Sequence, residues 1–442
     1  MTLTGRLEID STSSGWTPGS LPASDRARDG AVHLGGCLDN KETLDSDSKC
    51  AHGAPLRLGL DTLLSEHPEW LAGRRVGLVS HRAAVDASGV TTAERLRGAA
   101  GVNLVALFGP EHGFAGAAAA GERTSDYIHE TWRIPVFSLY SDRRQPTAEM
   151  LSLVDVLVYD VQDLGARPYT YVATLKLVLE AAAACRKPVV IADRPVPLAR
   201  SADGPALDRR CESFVGCVPT PMQYGLTPGE TALWLRFALA LDLDLNVATL
   251  DRYSRCREPH PDWPPWVPPS PRIRSWESAC LFTATVAGEA LPALDYGSGT
   301  ELSFQLLGAP WLDAAATIAA LEPLALPGVG FEPQAYEGKT GRYAGARLAG
   351  LRLRVTDYAS FRPVRTCVAI LSTLQALYGR ERLWAAEGTR PDFFDKLFGT
   401  ATVREALLDG ETGAQIANRW RPDLDRFLAA RAPFILYQTA LV

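Results

Sequence analysis

The sequence predicts an α/β protein, with a doubly wound parallel-sheet domain followed by a smaller α+β domain. Short apolar runs alternate with stretches of helical periodicity from Leu56 to about residue 240. These runs are apolar throughout, which is typical of parallel strands that helices cover on both faces. The segment Pro259–Pro271, in which seven of thirteen residues are proline, separates this pattern from a different one. Such a segment is extended and stiff, and suits a connection between domains.

The predicted elements follow from these patterns in chain order. In the first domain we predict strands at Val76–Ser80, Asn103–Phe108, Val136–Leu139, Asp155–Asp160 and Pro188–Ala192. Helices are predicted between and after them at Thr91–Arg97, Thr147–Leu153, Thr170–Cys185 and Pro228–Ala240. In the second domain we predict strands at Phe282–Val286 and Gly350–Thr356, with helices at Val364–Tyr378 and Ala401–Leu408.

The chain is predicted to divide into three parts. Residues 1–54 contain Gly, Ser, Thr and Asp at 25 of 54 positions, and Trp16 is their only aromatic residue. So little apolar surface cannot offset the entropy of ordering, and we expect a disordered extension. We predict a doubly wound domain at 55–258 and an α+β domain at 259–442.

Composition excludes several classes of protein. The formal net charge of the 442 residues is −6, too mild to predict a nucleic-acid partner. No apolar stretch is long enough to predict a membrane span, and the N-terminus lacks the basic and apolar regions of a secretory signal. The sequence therefore predicts a cytoplasmic protein, and it leaves the oligomeric state open.

Cofactor and metal motifs are missing from the sequence. The chain contains no C-x-x-C pair, no G-x-G-x-x-G after the first strand and no G-x-x-x-x-G-K-[ST]. We therefore predict no structural metal and no nucleotide cofactor. The G-x-S-x-G motif of the α/β-hydrolases is also missing.

Polar clusters follow four of the predicted strands directly. They are Ser80–Arg82, Gly109–Gly113, Asp160–Tyr171 and Asp193–Pro195. In an open parallel sheet the carboxyl ends of the strands meet at one edge, where ligands bind. We therefore expect the four clusters to line one site.

The carboxylates in these clusters have two interpretations each. Glu111 lies between Pro110 and His112-Gly113, which are typical of a rigid loop that projects a carboxyl group into a cleft. The alternative is that Glu111 caps a helix or lies on the surface. Asp160 or Asp163 could supply the second carboxylate of an acid/base pair. The alternative is that these carboxylates bind loop amides or pair with Arg167.

The other polar residues also allow two roles. Tyr169 and Tyr171 suit stacking on a sugar or packing against the sheet. His112 suits a proton carrier or a structural hydrogen bond.

Two of these clusters carry a resemblance to a known family. The segments GPEHG at Gly109–Gly113 and DVQDLGARPYTY at Asp160–Tyr171 resemble the NamZ-type exo-β-N-acetylmuramidases, which form glycoside hydrolase family 171 and are also known as domain of unknown function 1343. The similarity runs from about Leu56 to about Leu408. Further matching segments include Phe137–Tyr140, Arg144–Thr147, Asp193–Pro195, Ser213–Gly216, Leu307–Asp313, Tyr343–Gly345 and Phe361–Pro363.

The resemblance implies a function and roles for residues. The family removes terminal N-acetylmuramic acid from peptidoglycan fragments, using a Rossmann-like catalytic domain and a smaller auxiliary domain. By resemblance Glu111 is the general acid/base, because glycoside cleavage needs a proton on the leaving oxygen. Asp160 and Asp163 are the candidates for the second carboxylate. Arg167 or Arg194 suits the lactyl carboxylate of muramic acid.

The sequence departs from the family pattern at the expected substrate pocket. His81, Val196, Arg272 and Ala293 stand where the family usually has asparagine. Because asparagine both donates and accepts hydrogen bonds, these changes predict altered sugar selectivity. Two alternatives therefore stay open: a paralogue that binds a sugar without turnover, and an enzyme repurposed for a more anionic metabolite. The basic side chains of Arg82 and Arg272 suit the second alternative.

The predicted ligand is thus a small carbohydrate. The proposed catalytic set is Glu111, Asp160 and Asp163. The proposed substrate-binding set is His81, Arg82, His112, Arg167, Tyr169, Tyr171, Arg194 and Arg272.

Overall fold

A seven-stranded sheet forms the larger part of the protein in the computed structural model, which describes residues 56–255 and 263–437. Its strands are Arg75–Ser80 (β1), Asn103–Gly109 (β2), Tyr127–Ile128 (β3), Pro135–Ser138 (β4), Val156–Asp160 (β5), Val189–Ala192 (β6) and Leu245–Ala248 (β7). They lie in the order β3-β4-β2-β1-β5-β6-β7. All neighbours pair in parallel except the edge strand β3, which runs antiparallel to β4. The predicted parallel sheet is confirmed, with one antiparallel edge added.

Strand register brings the carboxyl ends of the central strands to one edge. Ser80 at the end of β1 pairs with Asp160 at the end of β5, and Gly109 at the end of β2 pairs with Ser138 of β4. The chain crosses from β1 to β2 on one side and later to β5 on the other. A crevice opens at such a switch point in doubly wound sheets.

Thirteen α-helices accompany the sheets in the part of the chain that the structure describes. They are Gly59–Glu66 (α1), Thr92–Gly98 (α2), Ala148–Ser152 (α3), Tyr171–Ala184 (α4), Pro228–Ala238 (α5), Trp276–Thr285 (α6), Ala314–Leu321 (α7), Pro363–Tyr378 (α8), Arg380–Trp384 (α9), Pro391–Phe398 (α10), Thr402–Leu408 (α11), Gly413–Arg419 (α12) and Arg421–Arg431 (α13). Six of them match predicted helices with ends within two residues. None of the helices in these ranges is long and apolar enough to cross a membrane.

Helices bury both faces of the large sheet. Val76 and Leu78 of β1 pack in one apolar cluster with residues of α1 and α2. Val79 of the same strand packs in a second cluster, with residues of α4 and α5 on the other face. Two buried faces explain why the strands read as continuous apolar runs and not as alternating ones.

A second, antiparallel sheet has three strands. They are Leu306–Ala309 (β8), Val329–Glu337 (β9) and Arg347–Val355 (β10), with β10 in the middle. Helices α6 and α7 pack beside this sheet and α8 packs against both helices, which gives the α+β arrangement predicted for the second part of the chain. The predicted extension at 1–54 lies outside the described residues, and so does the predicted domain boundary at residue 258.

The strand predicted at Phe282–Val286 is wrong. Phe282 lies in α6, and Val286 opens a short 3-10 helix, Val286–Glu289. Ser275 caps α6 by accepting a hydrogen bond from the Ser278 amide, and the last eight residues of α6 are all buried. A helix that is buried all round shows no amphipathic periodicity, so its apolar run resembles a strand.

Candidate active site

A tight loop after β2 carries Glu111. A Cβ atom on Gly109 would lie 2.3 Å from the amide nitrogen of Phe114, so only glycine lets the chain fold back here. His112 and Gly113 continue the turn with left-handed φ angles of 71° and 76°. The Nδ1 atom of His112 contacts the Ala118 carbonyl at 2.9 Å and holds the loop in shape. The structure therefore gives His112 the structural hydrogen bond that was one of its two interpretations.

Both carboxylate oxygens of Glu111 have a donor. Oε1 accepts a hydrogen bond from the Gly121 amide at 2.8 Å, and Oε2 accepts one from the Thr170 hydroxyl at 2.6 Å. Thr170 stands directly before α4, whose N-terminus favours negative charge. The side chain is 7% exposed. Glu111 is therefore held in one position at the carboxyl edge of the sheet, with little access for water.

Two aromatic side chains and a histidine pack behind Glu111. The Tyr171 hydroxyl donates to the Pro269 carbonyl at 2.5 Å and lies 3.4 Å from the carbonyl oxygen of Glu111. The ring of Tyr169 packs edge-on against that of Tyr171, with centroids 4.8 Å apart. Both tyrosines are buried, so in this structure they pack within the protein and offer no open face for a sugar.

His81 is a buried, neutral hydrogen-bond acceptor. Its Nε2 atom accepts the Gln162 amide hydrogen at 3.0 Å, and its ring packs edge-on against Tyr171. Burial lowers the pKa of His81 to about 3, and the positive charge of Arg194 adds to this effect. His81 therefore stays uncharged at physiological pH, and its ring holds the Tyr171 ring in place by packing against it.

Asp160 and Arg194 neutralise each other beneath the site. The Arg194 guanidinium forms an ion pair with Asp160 and donates to the Val85 carbonyl at 2.9 Å. Asp160 also accepts the Thr92 hydroxyl at 2.6 Å. Both charged side chains are at most 2% exposed, so we infer that this pair joins the ends of β5 and β6 to the start of α2.

Asp163 binds two amides of its own loop. Its Oδ1 atom accepts hydrogen bonds from Leu164 at 2.5 Å and Gly165 at 3.1 Å. Burial raises the pKa of Asp163 to about 7, although the two amides act in the opposite direction. This arrangement is the alternative in which the carboxylate stabilises the loop.

The variant D163N tests how far the buried charge of Asp163 lowers the free energy of unfolding. Asparagine keeps an oxygen that accepts both amides but cannot ionise. Because the pKa of Asp163 is raised on folding, its contribution to stability is fully present at low pH and is lost as the pH rises from about 4 to about 7. We expect the stability of D163N to rise relative to the wild type over that window, by at most about 1.4 kcal/mol per pH unit.

Urea unfolding followed by tryptophan fluorescence at pH 4 to 8 measures this difference. The other buried carboxylates are common to both proteins and cancel in the comparison. A difference in stability that stays constant with pH would contradict the prediction.

Arg167 is entirely buried and binds backbone carbonyls. It donates to Pro205 at 3.2 Å, to Thr220 at 2.6 Å and to Phe398 at the C-terminal end of α10. Burial lowers the pKa of Arg167 to about 9. The guanidinium faces no solvent, so its predicted contact with substrate does not fit this placement. We infer that it anchors α10 to the loop that precedes α4.

Two further predicted arginines lie nearer the surface. Arg82 is exposed and lies against Gly116 of the Glu111 loop. Arg272 donates to the Tyr296 hydroxyl at 2.7 Å and to Glu289 at 3.3 Å. Burial raises the pKa of Glu289, Arg272 acts against this, and the negative charge of Glu111 adds to the rise.

Glu289 is therefore a second carboxylate whose charge interacts with that of Glu111, and it was not predicted from the sequence. It ends the 3-10 helix Val286–Glu289, just beyond the segment Phe282–Val286 where a strand was predicted. No motif in the sequence marks it.

A cavity of about 330 Å³ adjoins the Glu111 loop. Residues such as Phe114, Thr124, Tyr127 and Phe137 line it, whereas Glu111 does not. Among residues 56–255 and 263–437, no group of three or more His, Cys, Asp or Glu side chains could hold a metal ion.

Comparison with known proteins places the chain in a family. Residues 76–277 match the model described as exo-beta-N-acetylmuramidase NamZ, N-terminal, and residues 278–437 match the corresponding C-terminal model. The peptidoglycan beta-N-acetylmuramidase NamZ of Bacillus subtilis (strain 168) is 34% identical over 394 residues, which cover 89% of this chain and 94% of that protein.

Two crystal structures of DUF1343 family proteins from Bacteroides fragilis share the fold. One superposes with a TM-score of 0.81 at 30% identity, over 87% of this chain and 99% of the other. The second gives a TM-score of 0.70 at 25% identity, over 87% and 100%. With a carboxylate fixed at the edge of the sheet, and with sequence and structure matched over most of the chain, this protein belongs to the NamZ family of exo-β-N-acetylmuramidases.

Proposed function

We propose that this protein is an exo-acting glycoside hydrolase that removes a terminal N-acetylmuramic acid, or a related amino sugar, from peptidoglycan fragments. The observation that carries the proposal is the fixed position of Glu111. Gly121 and Thr170 hold its two oxygens at the carboxyl edge of the sheet, where doubly wound domains bind ligands. The family and the B. subtilis relative supply the reaction class.

In this proposal Glu111 is the general acid/base. It donates a proton to the glycosidic oxygen as the bond to the sugar breaks and positive charge develops on the ring. The Thr170 hydroxyl and the Gly121 amide keep the carboxyl group oriented through proton transfer. A residue held in place by its neighbours loses little entropy when the substrate arrives.

We propose Glu289 as the second carboxylate, in place of Asp160 and Asp163. Asp160 is already neutralised by Arg194, and Asp163 is occupied by loop amides. Glu289 is held by Arg272 at 3.3 Å and lies within the electrostatic influence of Glu111. Its negative charge would stabilise the oxocarbenium-like ring or assist the attack of water.

Release of a chromophore from an aryl N-acetylmuramide tests the proposal. We expect turnover by the wild type and by D163N, and a loss of about 100-fold or more in E289Q. D163N is the matched control, because it removes another carboxylate whose pKa burial raises. Loss in D163N with full activity in E289Q would reverse the assignment. Tight binding of the substrate by the wild type without release would favour the non-hydrolytic alternative.

A further inference from the structure

The guanidinium of Arg144 is clamped between two aromatic rings. It lies 3.6 Å from the ring centre of Tyr140 and 4.9 Å from that of Phe214. The two rings also touch each other, with centroids 5.7 Å apart. Cation–π contacts of this kind hold an arginine in place while leaving the edge of its planar fork free for a ligand.

Arg144 has a buried donor with no partner. Its Nη1 atom is shielded from solvent and forms no hydrogen bond among the described residues. The Nε atom of Arg143 is also buried without a partner, but the guanidinium of Arg143 pairs with Asp126 and that of Arg123 pairs with Asp142. Among the described residues, no carboxylate forms an ion pair with Arg144. Because buried donors in folded proteins are normally satisfied, an unpaired donor on a fixed cation that no carboxylate neutralises points to a missing anionic ligand.

The fold places Arg144 beside Glu111. Gly109 of β2 pairs with Ser138 of β4, and Glu111 and Tyr140 each follow two residues later. One loop contacts both of them: the Gly121 amide donates to the Glu111 carboxylate at 2.8 Å, and the Thr124 amide donates to the Tyr140 carbonyl at 3.1 Å.

The electrostatics of Tyr140 agree with this placement. Burial is the largest cause of the raised pKa of its hydroxyl, the charge of Glu111 raises it further, and the charge of Arg144 lowers it. Glu111 and Arg144 therefore both act on the same phenol.

Three of the four other arginines of the predicted site already have protein partners. Arg167 is held by carbonyls, Arg194 by Asp160 and Arg272 by Glu289. The fourth, Arg82, is exposed and lies against Gly116 of the Glu111 loop.

We propose that Arg144 binds the carboxylate of the lactyl ether that distinguishes muramic acid from glucosamine. The proposal rests on the proposed function. A planar guanidinium binds a carboxylate through two parallel hydrogen bonds, and the Nη1 donor of Arg144 forms no hydrogen bond within the described residues. Arg144 thereby selects sugars whose lactyl carboxylate is free and discriminates against the same sugar with that group converted to an amide.

Two matched substrates test this selection. They are an aryl N-acetylmuramide and its lactyl carboxamide, assayed with the wild type, R144Q, R144K and R123A. We expect R144Q to lower kcat/KM for the carboxylate substrate by about 30- to 100-fold, mostly through KM, and to change the carboxamide by less than about twofold. R144K keeps the charge and should recover part of the loss. R123A removes an exposed arginine and should match the wild type.

The carboxamide also controls for misfolding, because a damaged protein loses activity on both substrates. Equal losses on the two substrates, or none, would overturn the proposal.

A binding measurement separates this inference from the proposed function. Calorimetric titration of N-acetylmuramic acid and of N-acetylglucosamine needs no turnover. Binding of N-acetylmuramic acid by the wild type, lost in R144Q, would support the role of Arg144 even if the protein hydrolyses nothing. Binding that is equal in both proteins, or that is undetectable in the wild type, would overturn it even if hydrolysis is found.

Discussion

The variant E111Q should lose nearly all glycosidase activity while keeping its fold. Glutamine retains an oxygen to accept the Gly121 amide, and its amide group can donate to the Thr170 hydroxyl, so both contacts of the side chain survive. It cannot donate a proton to a leaving oxygen. We expect kcat to fall by about 100- to 10,000-fold, the usual contribution of a general acid.

Chromophore release from an aryl N-acetylmuramide measures this loss, and thermal unfolding of the same samples measures the fold. Glu122 provides a control in the same loop, because its carboxylate accepts the Ala119 amide at 2.7 Å and is exposed. E122Q should keep wild-type activity. Full activity in E111Q would remove Glu111 from the mechanism.

Replacement of Arg167 by methionine should cause the largest loss of stability. Methionine fills much of the space but leaves the carbonyls of Pro205, Thr220 and Phe398 without their buried donor. Unpaired buried acceptors cost about 1–3 kcal/mol each, so we expect a loss of at least about 3 kcal/mol. α10 would also lose its anchor to the loop before α4.

Urea unfolding measures the change for R167M, R167K and R123A. Lysine keeps a charge but has a single ammonium group, which cannot reach three divergent carbonyls, so R167K should fall between the wild type and R167M. R123A removes an arginine that is 67% exposed and should change stability by less than about 0.5 kcal/mol. Equal stability of R167M and the wild type would show that Arg167 does not anchor α10.

The sheet and its polar edge could be predicted because both depend on local patterns. Apolar runs identify the central strands, and the residues that end β1, β2 and β5 follow from where those runs stop. The short strand Leu245–Ala248 could not be recognised, because Asn246 interrupts a run of only four residues. The helix at Trp276–Thr285 resembles a strand in sequence because it is buried all round.

The roles of the charged residues depend on contacts between distant parts of the chain. Asp160 pairs with Arg194 because β5 and β6 are neighbours in the sheet. Their separation of 34 residues in the sequence does not reveal this contact. Arg167 was expected near a carboxylate, yet carbonyls as far away as Phe398 bind it. Glu289 carries no motif, and Arg144 lies in a segment that resembles the family but was given no role. Only the folded chain shows that Glu289 responds to the charge of Glu111 and that Arg144 has an unpaired donor.

The central claim is exo-cleavage at N-acetylmuramic acid with Glu111 as the acid. Mass spectrometry of two defined glycan fragments tests it most directly, one with N-acetylmuramic acid and one with N-acetylglucosamine at the non-reducing end. The wild type should release free N-acetylmuramic acid from the first fragment and nothing from the second, and E111Q should release neither sugar. Cleavage within the fragments, or equal release by E111Q and the wild type, would contradict the account.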